Sequence, residues 1–183
     1  NLNKYIESMK TLIIIPSRMS ATRLPGKPLL KINGLSIISH VFKRAESANI
    51  GEVVVAAEDQ VIIDDVKSNG GNAILTSKNH KTGTDRIYEA FNILNRNDIN
   101  YIMNVQGDEP DIDINDIQTL DTKMKSNDSK IGTLAANISS QEMYEDENLV
   151  KVKINESFEK NSFPYAENFM RKTKDKDNTY HHY

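Results

Sequence analysis

No cysteine occurs among the 183 residues. Disulfides and thiolate metal sites are therefore excluded, as suits a reducing cytoplasm, where we expect the protein to work. No apolar run approaches the roughly 18 residues a membrane-spanning helix needs, so no membrane partner is expected. Asn1 to Ser8 lack the apolar core of a secretory signal. There is no basic excess either: 23 Lys and Arg face 26 Asp and Glu, a net charge of −3. Proteins whose main partner is nucleic acid usually carry a basic stripe, so none is expected here. Neither a G-x-x-x-x-G-K-[ST] loop nor a G-x-G-x-x-G turn is present.

What is there is an ordinary globular balance, 38% hydrophobic and 27% charged residues, with room for one sizeable core. Thr11-Leu-Ile-Ile-Ile15 is a short continuous apolar run ending at Pro16, as a strand buried on both faces reads. Ile37, Ile38, Val41, Phe42 and Ala45 then recur at helical spacing. Val53–Ala57 predicts a second strand, Ile62, Ile63 and Val66 a second helix, and Ala73–Leu75 a third strand. Thr84 reads as the N-cap of a helix carrying Ile87, Ala90, Phe91 and Leu94, and Tyr101–Val105 as a further strand. Strands alternating with helices predict an α/β fold with a doubly wound, mostly parallel sheet. Such sheets bind ligands at the carboxyl ends of their strands.

Beyond Ile114 the pattern loosens. A helix over Ile114–Met124 and strands near Ile131–Ala136 and Leu149–Ile154 are expected. Residues 155–179 are polar, 172–178 read as a solvated loop, and no closing element is evident at Tyr180–Tyr183. Met9-Lys10 reads as a natural start, which makes residues 1–8 an extension. The expected division is a nucleotide-binding part over about 9–113 and a sugar-binding and dimer-forming part over about 114–183.

Two loops carry chemistry. In Pro16-Ser-Arg-Met-Ser-Ala-Thr-Arg-Leu-Pro-Gly-Lys-Pro-Leu29, the cations Arg18, Arg23 and Lys27 crowd the carboxyl end of the first strand. Charge-assisted contacts from such groups suit a triphosphate, and Gly26 lets backbone approach a ligand. Charge alone is equally compatible with a solvated basic loop. Asn104-Val-Gln-Gly-Asp-Glu-Pro110 delivers Asp108 at the end of another strand. Mg²⁺ takes one or two carboxylates together with phosphate oxygens, and Asp108 is the candidate ligand. Gly107 allows phosphate or sugar to pass close to the backbone, and Gln106 offers both a donor and an acceptor. An acidic turn after a strand is the bland alternative.

The order of these residues resembles the Kdo cytidylyltransferase family, which activates the eight-carbon sugar acid 3-deoxy-D-manno-octulosonate. The first loop resembles its R-x-x-S-T-R-L-P-G-K-P-L stretch, with Ala21 where Ser is usual. His80-Lys-Thr-Gly-Thr-Asp-Arg86 resembles H-x-[ST]-G-T-[ED]-R, and Asn104–Pro110 is identical to the family's metal-site motif. Val55-Ala-Ala-Glu58 stands where V-A-T-D is usual, and Val150–Lys153 also fits. Phe169-Met-Arg171 and His182 match residues lining the family's sugar side.

The resemblance implies a Rossmann-like nucleotide-diphospho-sugar transferase fold and transfer of CMP from CTP to Kdo for lipopolysaccharide biosynthesis, with release of pyrophosphate. It implies Mg²⁺ on Asp108, triphosphate contacts from Arg18, Arg23 and Lys27, and nucleotide contacts from Gly83, Thr84 and Arg86. Arg18, Lys27 and Asp108 are the expected catalytic set. Gln106, Gly107, Arg171 and His182 are the expected substrate contacts, and a homodimer is the expected assembly. The family's G-V-D-T-P-like segment, whose Asp completes the metal site, is absent from this sequence. That makes Asp111 and Asp113 the first substitutes to test, and the expectation for this chain is nucleotide binding with little transfer. The rivals are a CMP-sialic acid synthetase, whose G-G-S-K-G-I-type loop is absent, and a non-catalytic nucleotide-binding domain.

Overall fold

The apolar run that begins at Thr11 becomes an inner strand of a parallel sheet. A computed structural model describes residues 2–20, 24–159 and 162–183 of the chain. Contacts divide it into two units, Asn1–Asp121 and Thr122–Tyr183.

In the first unit, the residues expected to be an extension form helix α1 (Leu2–Ser8), which leads into β1 (Thr11–Ser17). A 3-10 turn (Lys27–Leu29) and a small hairpin of β2 (Lys31–Ile32) and β3 (Leu35–Ser36) follow. Then come α2 (Ile37–Ser47), β4 (Gly51–Ala57), α3 (Gln60–Ser68), β5 (Ala73–Leu75), α4 (Gly83–Leu94), β6 (Tyr101–Asn104) and α5 (Ile114–Ser126), the last five residues of which are counted with the second unit. The sheet order is β5-β4-β1-β6, and every pairing is parallel. The expected doubly wound α/β architecture is what the chain builds. Strand order reverses at β1, since the chain moves outward through β4 to β5 and then returns to β6 on the other side.

Side chains alternate across a strand, and β1 uses both faces. Ile13 and Ile15 pack with Ile38, Val41, Ile62, Val66 and Ile117 on the α2–α3 side. Leu12 and Ile14 pack with Val54, Ala56, Ile87 and Ala90 on the α4 side. All four β1 residues are fully buried.

The strand does not stop at Pro16, as the sequence suggested, but continues to Ser17. Val105 N donates to Ile14 O at 3.3 Å, so backbone groups of that parity face β6. Pro16 shares the parity, and the β6 pairing ends at Ile14–Asn104. The missing proline N–H therefore falls where no ladder partner stands.

The second unit holds β7 (Ala135–Ala136), α6 (Gln141–Glu145), β8 (Lys151–Ile154), β9 (Ala166–Met170) and β10 (Thr179–His182). They form an antiparallel sheet of order β7-β10-β8-β9. Three expectations are corrected here. The strand expected over Ile131–Ala136 shrinks to two residues, Ala135 and Ala136, which are the ones in ladder register with β10; Ile131 is 91% exposed. The polar stretch 155–179 contains β9, whose side chains lie mostly in water. Its pairing comes from the backbone, so no alternation announces it. The last residues are β10, paired on both sides by β7 and β8.

Because Ile13 has no exposed surface and lies within the larger cluster, Ile13→Ala should cost about 2–5 kcal/mol of stability. Urea unfolding followed by circular dichroism measures this, and a midpoint equal to wild type would show that the strand is not in the core.

Candidate functional site

The loop that leaves β1 closes on itself. Gly26 adopts φ 77°, a left-handed conformation that glycine takes without a Cβ clash. Its N–H donates to Met19 O at 2.9 Å, and Lys27 opens the 3-10 turn. Arg18 is exposed at the carboxyl end of β1. Arg23 lies outside the described residues. Lys27 Nζ is 3.2 Å from Asp108 Oδ2, with the two side chains 34% and 61% exposed. An ion pair that open contributes only about 0–1 kcal/mol. What matters is its position, since it brings the loops after β1 and β6 together at the point where strand order reverses.

Two glycines press against the end of β1. A Cβ on Gly107 would lie 2.8 Å from the Pro16 carbonyl oxygen, and a Cβ on Gly83 would lie 3.2 Å from the Pro16 ring. Gln106 beside Gly107 is exposed and donates to Asn104 Oδ1 at 3.2 Å. Gly83 is the first residue of α4. The cap of that helix is Thr82 rather than Thr84: Asp85 N donates to Thr82 Oγ1 at 3.1 Å, and Thr82 Oγ1 donates to Asp85 Oδ2 at 2.7 Å. This reciprocal arrangement resembles a capping box. Thr84 sits exposed in the first turn.

Arg86 is 3% exposed and turned inward. Its guanidinium pairs with the Glu58 carboxylate and donates to Thr76 Oγ1 at 2.6 Å and to Ser77 O at 3.1 Å. Glu89, one turn further along α4, accepts from Ser77 N at 2.9 Å and pairs with His80 Nε2. The His80 hydrogen bond, then the Ser77 amide, hold the Glu89 carboxyl below its ordinary pKa. A hollow beside α4 is lined by His80, Asp85, Tyr88, Glu89, Asn92 and Ile93. Arg18, Lys27 and Asp108 are not among its walls.

Among the described residues no group of three or more His, Cys, Asp or Glu is arranged to hold a metal ion. Asp113 Oδ1 accepts from Asn115 N at the start of α5, while Asp111 is exposed. Asp108 therefore offers a single open carboxylate beside a cation. That fits Mg²⁺ carried by a nucleotide, whose phosphates complete the coordination; it does not fit a cage built by the protein alone.

In the second unit, Arg171 follows β9, is exposed, and donates from its guanidinium to Glu147 O at 2.9 Å. His182, on β10, lies 2.9 Å from Thr133 Oγ1 and meets the Phe169 ring edge-on at 5.0 Å. Burial, and then neighbouring His181, lower its pKa. The sequence had marked the Phe169–Arg171 segment and His182, and the sheet brings Phe169 against His182.

Two buried polar groups have surroundings that the sequence did not announce, although Lys151 lies in the family-like Val150–Lys153 stretch. Ser17 Oγ is buried without a hydrogen-bond partner among the described residues at the end of β1. Lys151 is fully buried and donates to Asp146 O at 2.5 Å and Arg171 O at 2.8 Å. The reciprocal Thr82–Asp85 cap was readable from its spacing.

A parallel sheet with cationic and acidic loops paired at its reversal point is a doubly wound α/β domain with a candidate ligand site at its strand ends. The sequence profile of the cytidylyltransferase family matches residues 12–182. The chain is 43% identical over 144 residues to a 3-deoxy-manno-octulosonate cytidylyltransferase of Rhodopseudomonas palustris, covering 78% of this chain and 59% of that protein. Its counterpart in Thermodesulfovibrio yellowstonii is 42% identical over 161 residues, 85% of this chain and 62% of that one. The solved structure of CMP:2-keto-3-deoxy-manno-octonic acid synthetase complexed with CTP superposes with a TM-score of 0.80 at 36% identity, covering 95% of this chain and 71% of that one. The chain belongs to the cytidylyltransferase family, and within it to the 3-deoxy-manno-octulosonate cytidylyltransferases. It spans about three-fifths of the length of those curated relatives.

Because the Lys27–Asp108 pair is so exposed, Asp108→Asn should leave the melting temperature within about 2 °C of wild type. A larger fall in differential scanning fluorimetry would make Asp108 a structural residue. His182 has a folded pKa below its unfolded one. Its contribution to stability is therefore present above the unfolded value and lost as pH falls through it and below. Removing the imidazole in His182→Gln should flatten the loss of stability between pH 7 and pH 5; an unchanged slope would rule this out.

Proposed function

We propose that the chain acts in the transfer of CMP from CTP to Kdo, giving CMP-Kdo and pyrophosphate for lipopolysaccharide biosynthesis. The observation that carries this reading is the 3.2 Å pairing of Lys27 with Asp108 where the sheet reverses. It sets a cation for phosphate beside a carboxylate for a divalent ion. The relatives' names and the CTP-complexed structure supply the nucleotide and the sugar acid.

In this reading Arg18, Arg23 and Lys27 bind and orient the triphosphate, and their charges offset its own. Gly107, with no side chain, lets the nucleotide approach the strand end. Gly83 and Thr84 present α4's N-terminal turn, whose backbone N–H groups favour anions. Gln106 positions hydroxyls. Arg171 pairs with the sugar acid's carboxylate and His182 hydrogen-bonds a hydroxyl. Alignment of the sugar hydroxyl with the α-phosphorus is the main contribution, because little covalent chemistry falls to the protein in such transfers. Asp108 would hold Mg²⁺ together with the nucleotide, and the ion would supply Lewis-acid neutralisation of the α-phosphate when bound. The nucleotide-binding role belongs to residues about 9–113 and the sugar-binding role to about 114–183. The same reading carries a cytoplasmic homodimer. No helix among the described residues is long and apolar enough to cross a membrane.

Titration of CTP against the chain, with and without Mg²⁺, tests the reading. Lys27→Ala should weaken CTP binding about ten- to a hundredfold, equivalent to about 1.5–3 kcal/mol for a contact to a charged group. Asp108→Asn should largely keep CTP affinity but make it insensitive to Mg²⁺. Affinity of Lys27→Ala within twofold of wild type would overturn the phosphate role. Pyrophosphate release that depends on sialic acid rather than Kdo would replace the sugar acid.

A further inference from the structure

The resemblance makes Arg86 a direct nucleotide contact, yet in the structure its guanidinium is buried and already engaged. Its partners form a chain of contacts that begins at the carboxyl end of β4. Glu58, the residue just beyond β4, pairs with Arg86, and the two side chains are only 11% and 3% exposed. Arg86 in turn holds Thr76 Oγ1 and Ser77 O, on the loop between β5 and α4. Toward the other side, Ser20 Oγ donates to Glu58 Oε1 at 3.4 Å, and Met19 N donates to Asp59 Oδ2 at 2.8 Å. Met19 O is the acceptor that closes the Gly26 turn before Lys27. The tip of β4 is thus tied to both loops that flank it.

A buried ion pair is costly to assemble and is weak evidence for stability in itself; its better-attested use is to fix one arrangement. Here the arrangement being fixed is that of two loops with few apolar anchors. Ser77, Asn79 and Lys81 are exposed, as are Arg18 and Ser20.

We propose that Glu58, with Asp59 beside it, is a positioning residue for nucleotide binding. Through Arg86 it sets the loop before α4, and through Ser20 it steadies the Lys27 loop, so that the two move as one frame around CTP. Glu58 touches no substrate; it acts through Arg86, Ser20 and the backbone around Met19. The nucleotide part of this inference rests on the reading that the loop after β1 takes CTP, whereas the mechanical part does not.

The experiment follows backbone amide exchange by NMR together with CTP titration in the presence of Mg²⁺. Three proteins are compared with wild type: Glu58→Gln, Glu58→Asp, and the double variant Glu58→Gln/Arg86→Gln. Glu58→Gln leaves a buried cation without its counter-ion and is expected to lower the melting temperature. The double variant removes both charges and is expected to keep it near wild type.

In the double variant the Met19, Thr76 and Ser77 amides should exchange at least tenfold faster, while amides within β1 keep their protection. CTP binding should weaken about tenfold in the same protein. Glu58→Asp retains the carboxylate and should restore CTP affinity to within threefold of wild type. Unchanged exchange at Met19 and Ser77 would overturn the inference, even if CTP affinity fell, because Arg86 would then be acting as a direct contact. Uniformly faster exchange, with β1 included, would overturn it by making the pair a plain stability element. If wild type binds no CTP, the proposed function fails, and the amide pattern still decides whether Glu58 couples the loops.

Discussion

Burial of β1 on both faces is the constraint from which the rest of the first unit follows. A strand with no exposed apolar residue needs neighbours on each side and a layer of helices above and below. Leu12 and Ile14 are met by α4, and Ile13 and Ile15 by α2 and α3. Burying each of these side chains is worth about 1.5–3 kcal/mol, more than an open ion pair such as Lys27–Asp108 contributes. Close backbone packing goes with it. A Cβ on Gly51 would lie 1.9 Å from Thr11 O, where β4 starts alongside β1. At the other end of the strand, Pro16 receives Gly83 against its ring and Gly107 against its carbonyl. The site loops therefore leave a rigid strand end whose geometry the core has already determined.

Cations in this chain serve two different physical purposes. Arg18 is open to water and Lys27 is half-buried in a weak pair with Asp108, so both charges are available to an anion. Arg86 and Lys151 are buried, and their donors are directed at protein acceptors. Burying a charge is unfavourable unless it is well hydrogen-bonded. Arg86 answers this with a carboxylate, a hydroxyl and a carbonyl. Lys151 does so with two carbonyls, one of them from Arg171 itself. Lys151 thus holds the segment on which Arg171 lies, and Arg86 ties the loop before α4 to the end of β4. The family motifs include both kinds, which is why resemblance alone groups Arg86 with the nucleotide-contacting residues.

The second unit was far less legible than the first. Its strands are short and mostly wet, so hydrophobic alternation, the main signal of a strand, is weak. β9 reads Ala-Glu-Asn-Phe-Met with nearly every side chain exposed. β10 contains two histidines and two further polar-capable residues, yet it is the strand that joins β7 to β8. Its neighbours, not its composition, make it a strand.

What the sequence determined by itself is the alternation of buried strands and amphipathic helices over the first unit, together with the residue types at the strand ends. Those follow from local periodicity and from short motifs, and both are written along one stretch of chain. The pairing of Lys27 with Asp108 across 81 positions was decided only by the tertiary structure. So were the inward turn of Arg86 toward Glu58, the reach of β1 through Pro16, and the meeting of Phe169 with His182. Each depends on which strand lies beside which and in what register, and register is a property of packed neighbours rather than of any one segment.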